Sequence, residues 1–405
     1  MTGRPAAASQ LVTWEHLGVT HRAMWWSTND RPVPRRVIVV DDRLTAAQAV
    51  KHASQGTAML WLGDFQNARQ MLGAMGRRIT KSGRARADRS ELNSASELSE
   101  ASQLSDAEEF YRIRQARAPR SRMLSLILVP LTFDETSGTA TLPLPRAPEV
   151  GAAVHFGYRD QPGFGDGSAV VSLQELTGVQ GAHQWFVTGV DVPALGAKIH
   201  PHYGTFMPTR HEYVDLVARA PLPDRSLAFD IGTGTGVLAA LLVRRGVAKV
   251  VGTDIHQRAV DCANDTFARL GIRESAEARL ADMFPAGRAP LIVCNPPWLP
   301  GSAATSLDAA IYDPGSTMLL QFLEGLPQHL TDDGEGWLII SDLAELLGLR
   351  SRQMLLDAID RAGLRVIDRL DTTPTHGRVS DRSDALHAAR AREVTSLWRL
   401  GATRW

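Results

Sequence analysis

Two cysteines in 405 residues, Cys262 and Cys294, are too few for a disulfide framework. Both fall inside segments patterned as buried elements, so they read as reduced thiols of a cytoplasmic protein. Long apolar runs are also missing. The longest, near Leu124 to Leu131, falls far short of the roughly 20 residues that a spanning helix needs, and the N-terminus shows no apolar signal region. No charge sign dominates, with 44 Lys and Arg against 44 Asp and Glu, so a nucleic-acid partner would need a local basic face. His200-Pro201-His202-Tyr203 has no further ligand at a zinc-like spacing, and no metal is expected. What is left is 44% hydrophobic and 22% charged, an ordinary soluble composition with room for two or three domains.

The chain is organised around Phe229-Asp230-Ile231-Gly232-Thr233-Gly234-Thr235-Gly236-Val237-Leu238. Leu227 to Ile231 reads as a buried parallel strand, the glycines as a tight turn, and Val237 to Arg245 as a helix. Such a turn lets backbone approach a nucleotide-like ligand without a Cβ clash. A dinucleotide fingerprint would need glycine where Val237 stands. Asp230 points the same way, because a carboxylate beside the loop repels a pyrophosphate and attracts an ammonium. Val250-Val251-Gly252-Thr253-Asp254 repeats the strand pattern and ends in an acid suited to ribose hydroxyls, a bond worth about 1.5–3 kcal/mol. Capping the next helix is the plainer role for Asp254.

A third strand ends at Leu280-Ala281-Asp282, placed to reach an adenine amino group, and a fourth, Pro290 to Cys294, runs into Asn295-Pro296-Pro297-Trp298. Here the chain resembles the class I S-adenosylmethionine (SAM) methyltransferases. The resemblance is to their small-methyltransferase subgroup with an Asn-Pro-Pro-aromatic motif, which includes release-factor glutamine, amino-adenine DNA and ribosomal RNA guanine methyltransferases. It covers Pro208 to the C-terminus and implies an α/β, Rossmann-like seven-stranded domain of order 3-2-1-4-5-7-6 with the last strand antiparallel. It implies SAM as cofactor, held by Asp230, Gly232, Thr233, Gly234, Gly236, Asp254, Ile255, Asp282 and Met283. Trp298 departs from the commoner tyrosine or phenylalanine, which leaves substrate identity open.

Four regions are expected. Residues 1–80 read as a small α/β domain, with strands Arg36–Val40 and Ala58–Leu62 and helices Thr45–Ala53 and Asn67–Ile79. It carries no glycine fingerprint; an interaction domain is the plain reading, a degenerate copy of the catalytic domain the sharper one. Residues 81–120 read as a flexible linker, poor in large apolar residues. At and just before its start, Arg77, Arg78, Lys81, Arg84, Arg86 and Arg89 face one acid, Asp88, and suit either phosphate or water. Residues 121–205 read as a β-rich module with strands Leu124–Leu131, Thr139–Leu142, Ala169–Leu173 and Trp185–Val190. Residues 206–405 are the methyltransferase domain. In it Pro208, Arg210 and Glu212 either close over the cofactor, as the resemblance implies, or start a helix. Further on are a helix Met318–Leu330, a strand Gly336–Ser341, a long helix Ala344–Gly363, strands Leu364–Leu370 and Val394–Leu400, and a polar insertion around Thr373–Arg378.

A sulfonium methyl needs no activation, so the enzyme has to align donor and acceptor and exclude water. The acceptor is the harder part, because an exocyclic amine or amide nitrogen delocalises its lone pair. Asn295 through its side-chain oxygen and Pro296 through its carbonyl can each accept one N–H, turning the lone pair toward the methyl group. Pro297 adds rigidity without a competing N–H, and Trp298 can stack on the flat group. No strong base is required, since the proton leaves after the positive charge has formed. The sequence therefore predicts an N-methyltransferase acting on a planar amine or amide, first in RNA or another nucleic acid. Protein glutamine, a small metabolite, and a SAM-binding protein without turnover are the alternatives; a nicotinamide oxidoreductase is disfavoured by Val237 and Asp230.

Overall fold

The computed structural model describes residues 10–95, 105–134, 137–165, 167–301, 310–374 and 386–403, without the side chains of 83–95. The chain forms two compact units, residues 1–104 with 111–184 and residues 105–110 with 185–405.

In the first unit β1 (Leu11–His16) and β2 (Val19–Trp26) make an antiparallel hairpin. Its two-residue turn holds Leu17 at φ 50° and Gly18 at φ 78°, the paired positive angles that match hairpin twist. The remaining strands are β3 (Val37–Val40), β4 (Ala58–Trp61), β5 (Ile127–Phe133), β6 (Ala140–Thr141) and β7 (Ser168–Ser172). They join the hairpin in one mixed sheet of order β1-β2-β7-β5-β4-β3, with β6 on β5. All four residues of β4 are buried, and it lies parallel to both β3 and β5. Strands of the regions 1–80 and 121–205, read from sequence as separate modules, thus complete a single sheet.

Two other expectations change. The region 81–120 is not an open linker where it is described, because helices span Phe65–Ala95 and Asp106–Leu124. Its alanines and arginines are good helix formers even without a core to join. Trp185–Val190 is not a strand: a helix runs over Leu173–Thr188, with Leu173, Leu176 and Val179 buried at helical spacing. Only β8 (Val190–Val192) and β9 (Ala197–Ile199) follow as a short hairpin.

The second unit carries β10 (Leu227–Ile231), β11 (Lys249–Asp254), β12 (Ala276–Leu280), β13 (Ala289–Cys294), β14 (Leu330–Ser341), β15 (Leu364–Thr372) and β16 (Thr395–Ala402). Their order is β12-β11-β10-β13-β14-β16-β15, which is 3-2-1-4-5-7-6, with β16 antiparallel to both neighbours. This is the α/β, Rossmann-like seven-stranded sheet that the sequence predicts. Both faces are covered, as a parallel sheet requires. Ala228 packs with Leu238, Leu241 and Phe267 on one side; Phe229 and Ile231 pack with Leu319 and Phe322 on the other. Cys262 and Cys294 are both buried here. Burial pushes the Cys262 thiol up to about 12 and Cys294 well above its ordinary value.

The expected long helix over 344–363 is broken into Leu343–Leu346 and Arg352–Arg361. Gly348 takes φ 66° between them, and the Ser351 hydroxyl restarts the helix by accepting the Met354 N–H at 3.1 Å. Of the insertion Thr373–Arg378, residues 375–378 lie outside the described residues. Among the described residues, no helix is long and apolar enough to cross a membrane.

Candidate functional site

Parallel strands bring their C-terminal ends to one edge, where open α/β sheets bind ligands. Ile231 pairs with Thr253 on one side and with Cys294 on the other. Gly232, Asp254 and Asn295 therefore emerge side by side. Asp254 pairs in turn with Leu280, which places Asp282 and Met283 just past the same edge.

The loop between β10 and its helix holds Gly232, Gly234 and Gly236 at φ 69°, 55° and 77°. A Cβ on Gly232 would lie 2.7 Å from Met318 Cε, and one on Gly236 would lie 2.7 Å from the Phe267 ring. Gly236 is also the N-cap of the helix Val237–Arg244 and offers no side chain to cap it. Asp230 supplies the cap from the strand: its Oδ2 accepts the Ala239 N–H at 3.1 Å and the Thr233 hydroxyl at 2.7 Å. With 1% of its surface exposed, Asp230 supports the loop from beneath instead of standing open to a ligand ammonium. Burial raises its carboxyl to about 6, against the pull of Thr233 and Ala239.

Asp254 is half-buried at the tip of β11. It accepts Gly234 N–H at 3.1 Å and His256 N–H at 2.9 Å, tying the glycine loop to the neighbouring strand; burial raises its carboxyl. The following helix starts after His256, without a side-chain cap. Ile255 is 64% exposed, an apolar surface beside the acid. Asp282 is exposed, and Met283, at φ 65°, uses its carbonyl to accept the Thr253 hydroxyl. A glycine loop that is open at Gly234, an acid at the next strand tip and an exposed apolar neighbour fit an adenosine-bearing cofactor.

At the tip of β13 the Trp298 Nε1–H donates to Asn295 Oδ1 at 2.8 Å. An indole N–H only donates, which fixes the amide with its oxygen on this side. The Arg210 guanidinium lies over the Trp298 ring, 4.4 Å from its centre. Arg210 in turn donates to Glu212 Oε1 at 2.5 Å and to Glu393 Oε1 at 2.9 Å, and Ser341 Oγ donates to the same Glu393 oxygen at 2.6 Å. Both glutamates are buried, and the second oxygen of each has no hydrogen-bond partner among the described residues. Two of the motif's three substrate-facing groups therefore each have one partner already, the Asn295 oxygen in the indole N–H and one face of the Trp298 ring in a cation. Glu393 was missed from the sequence, where nothing links it to an arginine 183 positions away. Asp313 caps the helix Thr317–His329 by accepting Met318 and Leu319 N–H groups.

His200 Nδ1 bonds the Phe186 carbonyl at 2.6 Å, and His202 Nε2 faces Asp265 at 3.3 Å. No group of three or more metal-ligating side chains is found among the described residues.

Residues 216–345 match the family model of the methyltransferase small domain. Among curated proteins, the release factor glutamine methyltransferase of Cereibacter sphaeroides is 29% identical over 176 residues, covering 40% of this chain and 62% of that one. The tRNA1(Val) (adenine(37)-N6)-methyltransferase of Shewanella sediminis is 28% identical over 149 residues, covering 34% and 61%. A solved methyltransferase from Pyrococcus furiosus matches at 15% identity and a TM-score of 0.38, over 55% of this chain and 98% of its own. The chain spans about three fifths of the length of these two curated relatives.

Proposed function

We propose that this relative of the class I, small-domain methyltransferases is a SAM-dependent N-methyltransferase acting on a planar exocyclic amine or amide nitrogen, with RNA or another nucleic acid as substrate. One observation carries the reading. Asn295-Pro296-Pro297-Trp298 leaves the sheet directly beside the glycine loop, since Ile231 and Cys294 are paired neighbours. A group that presents an N–H to Asn295 would thereby lie next to a cofactor held on Gly232 and Asp254.

SAM supplies an electrophilic methyl on a sulfonium; the chain supplies position and exclusion of water. Asn295 Oδ1 keeps a second lone pair beyond its bond to Trp298, and the indole holds that oxygen in place. With the Pro296 carbonyl, it accepts the two N–H bonds of the target and directs the nitrogen lone pair outward. Trp298 offers a flat surface to the group bearing that nitrogen. Gly232, Thr233, Gly234 and Gly236 form the cofactor cradle, with Asp230 acting through the loop. Asp254, Ile255, Asp282 and Met283 line the adenosine side.

The test is transfer of a labelled methyl group from SAM to a desalted cell extract, with Asn295→Ala as background and the product sorted by nuclease, protease and filtration. Label in the nuclease-sensitive fraction supports the reading. Label in protein favours glutamine, the substrate named for the release-factor relative. No label, with SAM binding intact, moves the weight to a binding protein. In the same preparations Asp254→Ala should lose SAM affinity by tenfold or more, about 1.4 kcal/mol. Asn295→Ala should keep affinity and lose turnover; equal loss of SAM binding in both would mean Asn295 has the wrong role.

A further inference from the structure

The first unit holds a cleft of about 350 Å³ lined by Gly73, Gly76, Arg77, Thr80, Lys81 and Arg120. Five of these residues lie on the helix Phe65–Ala95, and Arg120 comes from the helix Asp106–Leu124. The two glycines let the guanidinia lie against the helix backbone. A Cβ on Gly73 would sit 3.5 Å from Arg77 Nη1, and one on Gly76 would sit 2.9 Å from Arg120 Nη2. Thr80 turns its hydroxyl inward to the Gly76 carbonyl at 2.9 Å.

Three cations thus converge on one hollow, and none of them has an acid partner among the described residues. Elsewhere in the unit arginines do find acids: Arg43 pairs with Asp41 and Arg146 with Asp64. The bias extends along the first helix and over the part of the second that follows its acidic first turn of Asp106, Glu108 and Glu109. Residues 69–89 carry seven basic residues and one acid, and residues 112–122 five basic residues and no acid, in a chain otherwise balanced at 44 and 44. Like charges clustered in this way favour a polyanion, and guanidinium forks match phosphate oxygens two at a time.

We propose that this cleft, flanked by the two basic helices, is a binding site for the phosphate backbone of RNA. Naming RNA as the polyanion rests on the nucleic-acid reading of the methyl acceptor; the anion site itself rests on the geometry.

The experiment measures binding of a fluorescein-labelled oligouridine to the full chain by anisotropy, across a salt series from about 50 to 200 mM. It compares wild type with a triple variant, Arg77→Gln, Lys81→Gln and Arg120→Gln, and a thermal shift with SAM checks that the variant is folded. Each phosphate contact to a single strand contributes roughly 0.7 to the slope of log affinity against log salt. The triple variant should therefore bind tenfold or more weakly and lose about two units of slope. Wild-type affinity without salt dependence, or a folded variant that binds RNA as the wild type does, overturns the proposal. Equally tight binding to vesicles containing phosphatidylserine overturns the assignment to RNA. The two readings fail separately: methyl label in protein with the RNA contacts intact sinks only the nucleic-acid substrate, while label in RNA with an inert cleft sinks only the cleft.

Discussion

Each unit makes a turn from a buried parallel strand into a helix, and the two turns are capped differently. After β4, Asp64 sits immediately ahead of its helix and caps it locally, its Oδ1 accepting the N–H groups of Gln66 at 2.8 Å and Asn67 at 3.3 Å. The same carboxylate also holds Arg146 at 2.5 Å, so side chains fill that strand tip. After β10 the cap comes from Asp230, back on the strand, and the five residues between are Gly, Thr, Gly, Thr and Gly. A local cap must place a polar side chain in the turn. A remote cap satisfies the helix from below and leaves the upper surface of the turn as bare backbone. The difference separates a turn built for stability from one built to be approached.

The sharpest way to break the contrast is Asp230→Ala, which strips the remote cap and leaves the Thr233 hydroxyl and Ala239 N–H buried without their acceptor. Urea unfolding should show a loss of about 2–4 kcal/mol, with SAM affinity falling at least tenfold. An unchanged midpoint would refute the capping role. Next in size is a pH effect. The Asp230 carboxyl titrates at about 6 in the folded chain against 3.8 for an ordinary aspartate, so the folded state holds that proton more tightly than the unfolded state. Its contribution to stability is largest below the lower value and is lost as pH rises through the upper one. Asp230→Asn should flatten that decline of stability between the two, measured by melts across the range.

Gly236→Ala probes the turn itself. A side chain at φ 77° that meets Phe267 should cost about 1–3 kcal/mol, read as a lower melting temperature. The smallest effect belongs to the closed turn. Asp64→Ala should cost about 1–2 kcal/mol and leave SAM affinity within twofold of wild type. A matching loss of SAM binding would dissolve the distinction between the two turns.

Much of the second unit was legible because its information is local. The glycine loop and Asn295-Pro296-Pro297-Trp298 each occupy a few consecutive residues at a strand end, and the strand order follows from the family they resemble. What the residues could not convey was direction. Asp230 at a strand tip is compatible with facing a ligand or facing the helix start, and only burial decides between them. Arg210 was in view as a loop residue, but its bonds to Glu393 and its place over Trp298 depend on chain segments far apart. The first unit was harder for the same reason. β5 pairs with β4 across the two long helices, so its sheet could not be assembled from neighbouring signals. Trp185-Phe186-Val187 looked like a strand by composition, whereas the residues that decide it, Leu173, Leu176 and Val179, lie earlier in the same helix.

The placement of the two cysteines gives the molecule a built-in clock. Both thiols are sealed inside the second unit and the first has none, so a thiol reagent added to the native protein can react only when the second unit opens. The labelling rate at each cysteine then counts openings of the second unit's sheet while remaining blind to the other half. Cys262 lies on a helix of that sheet and Cys294 at the last position before Asn295, so the two rates would time the scaffold and the site separately. Their ratio on adding SAM would reveal whether the cofactor steadies the entire unit or only the tip of one strand.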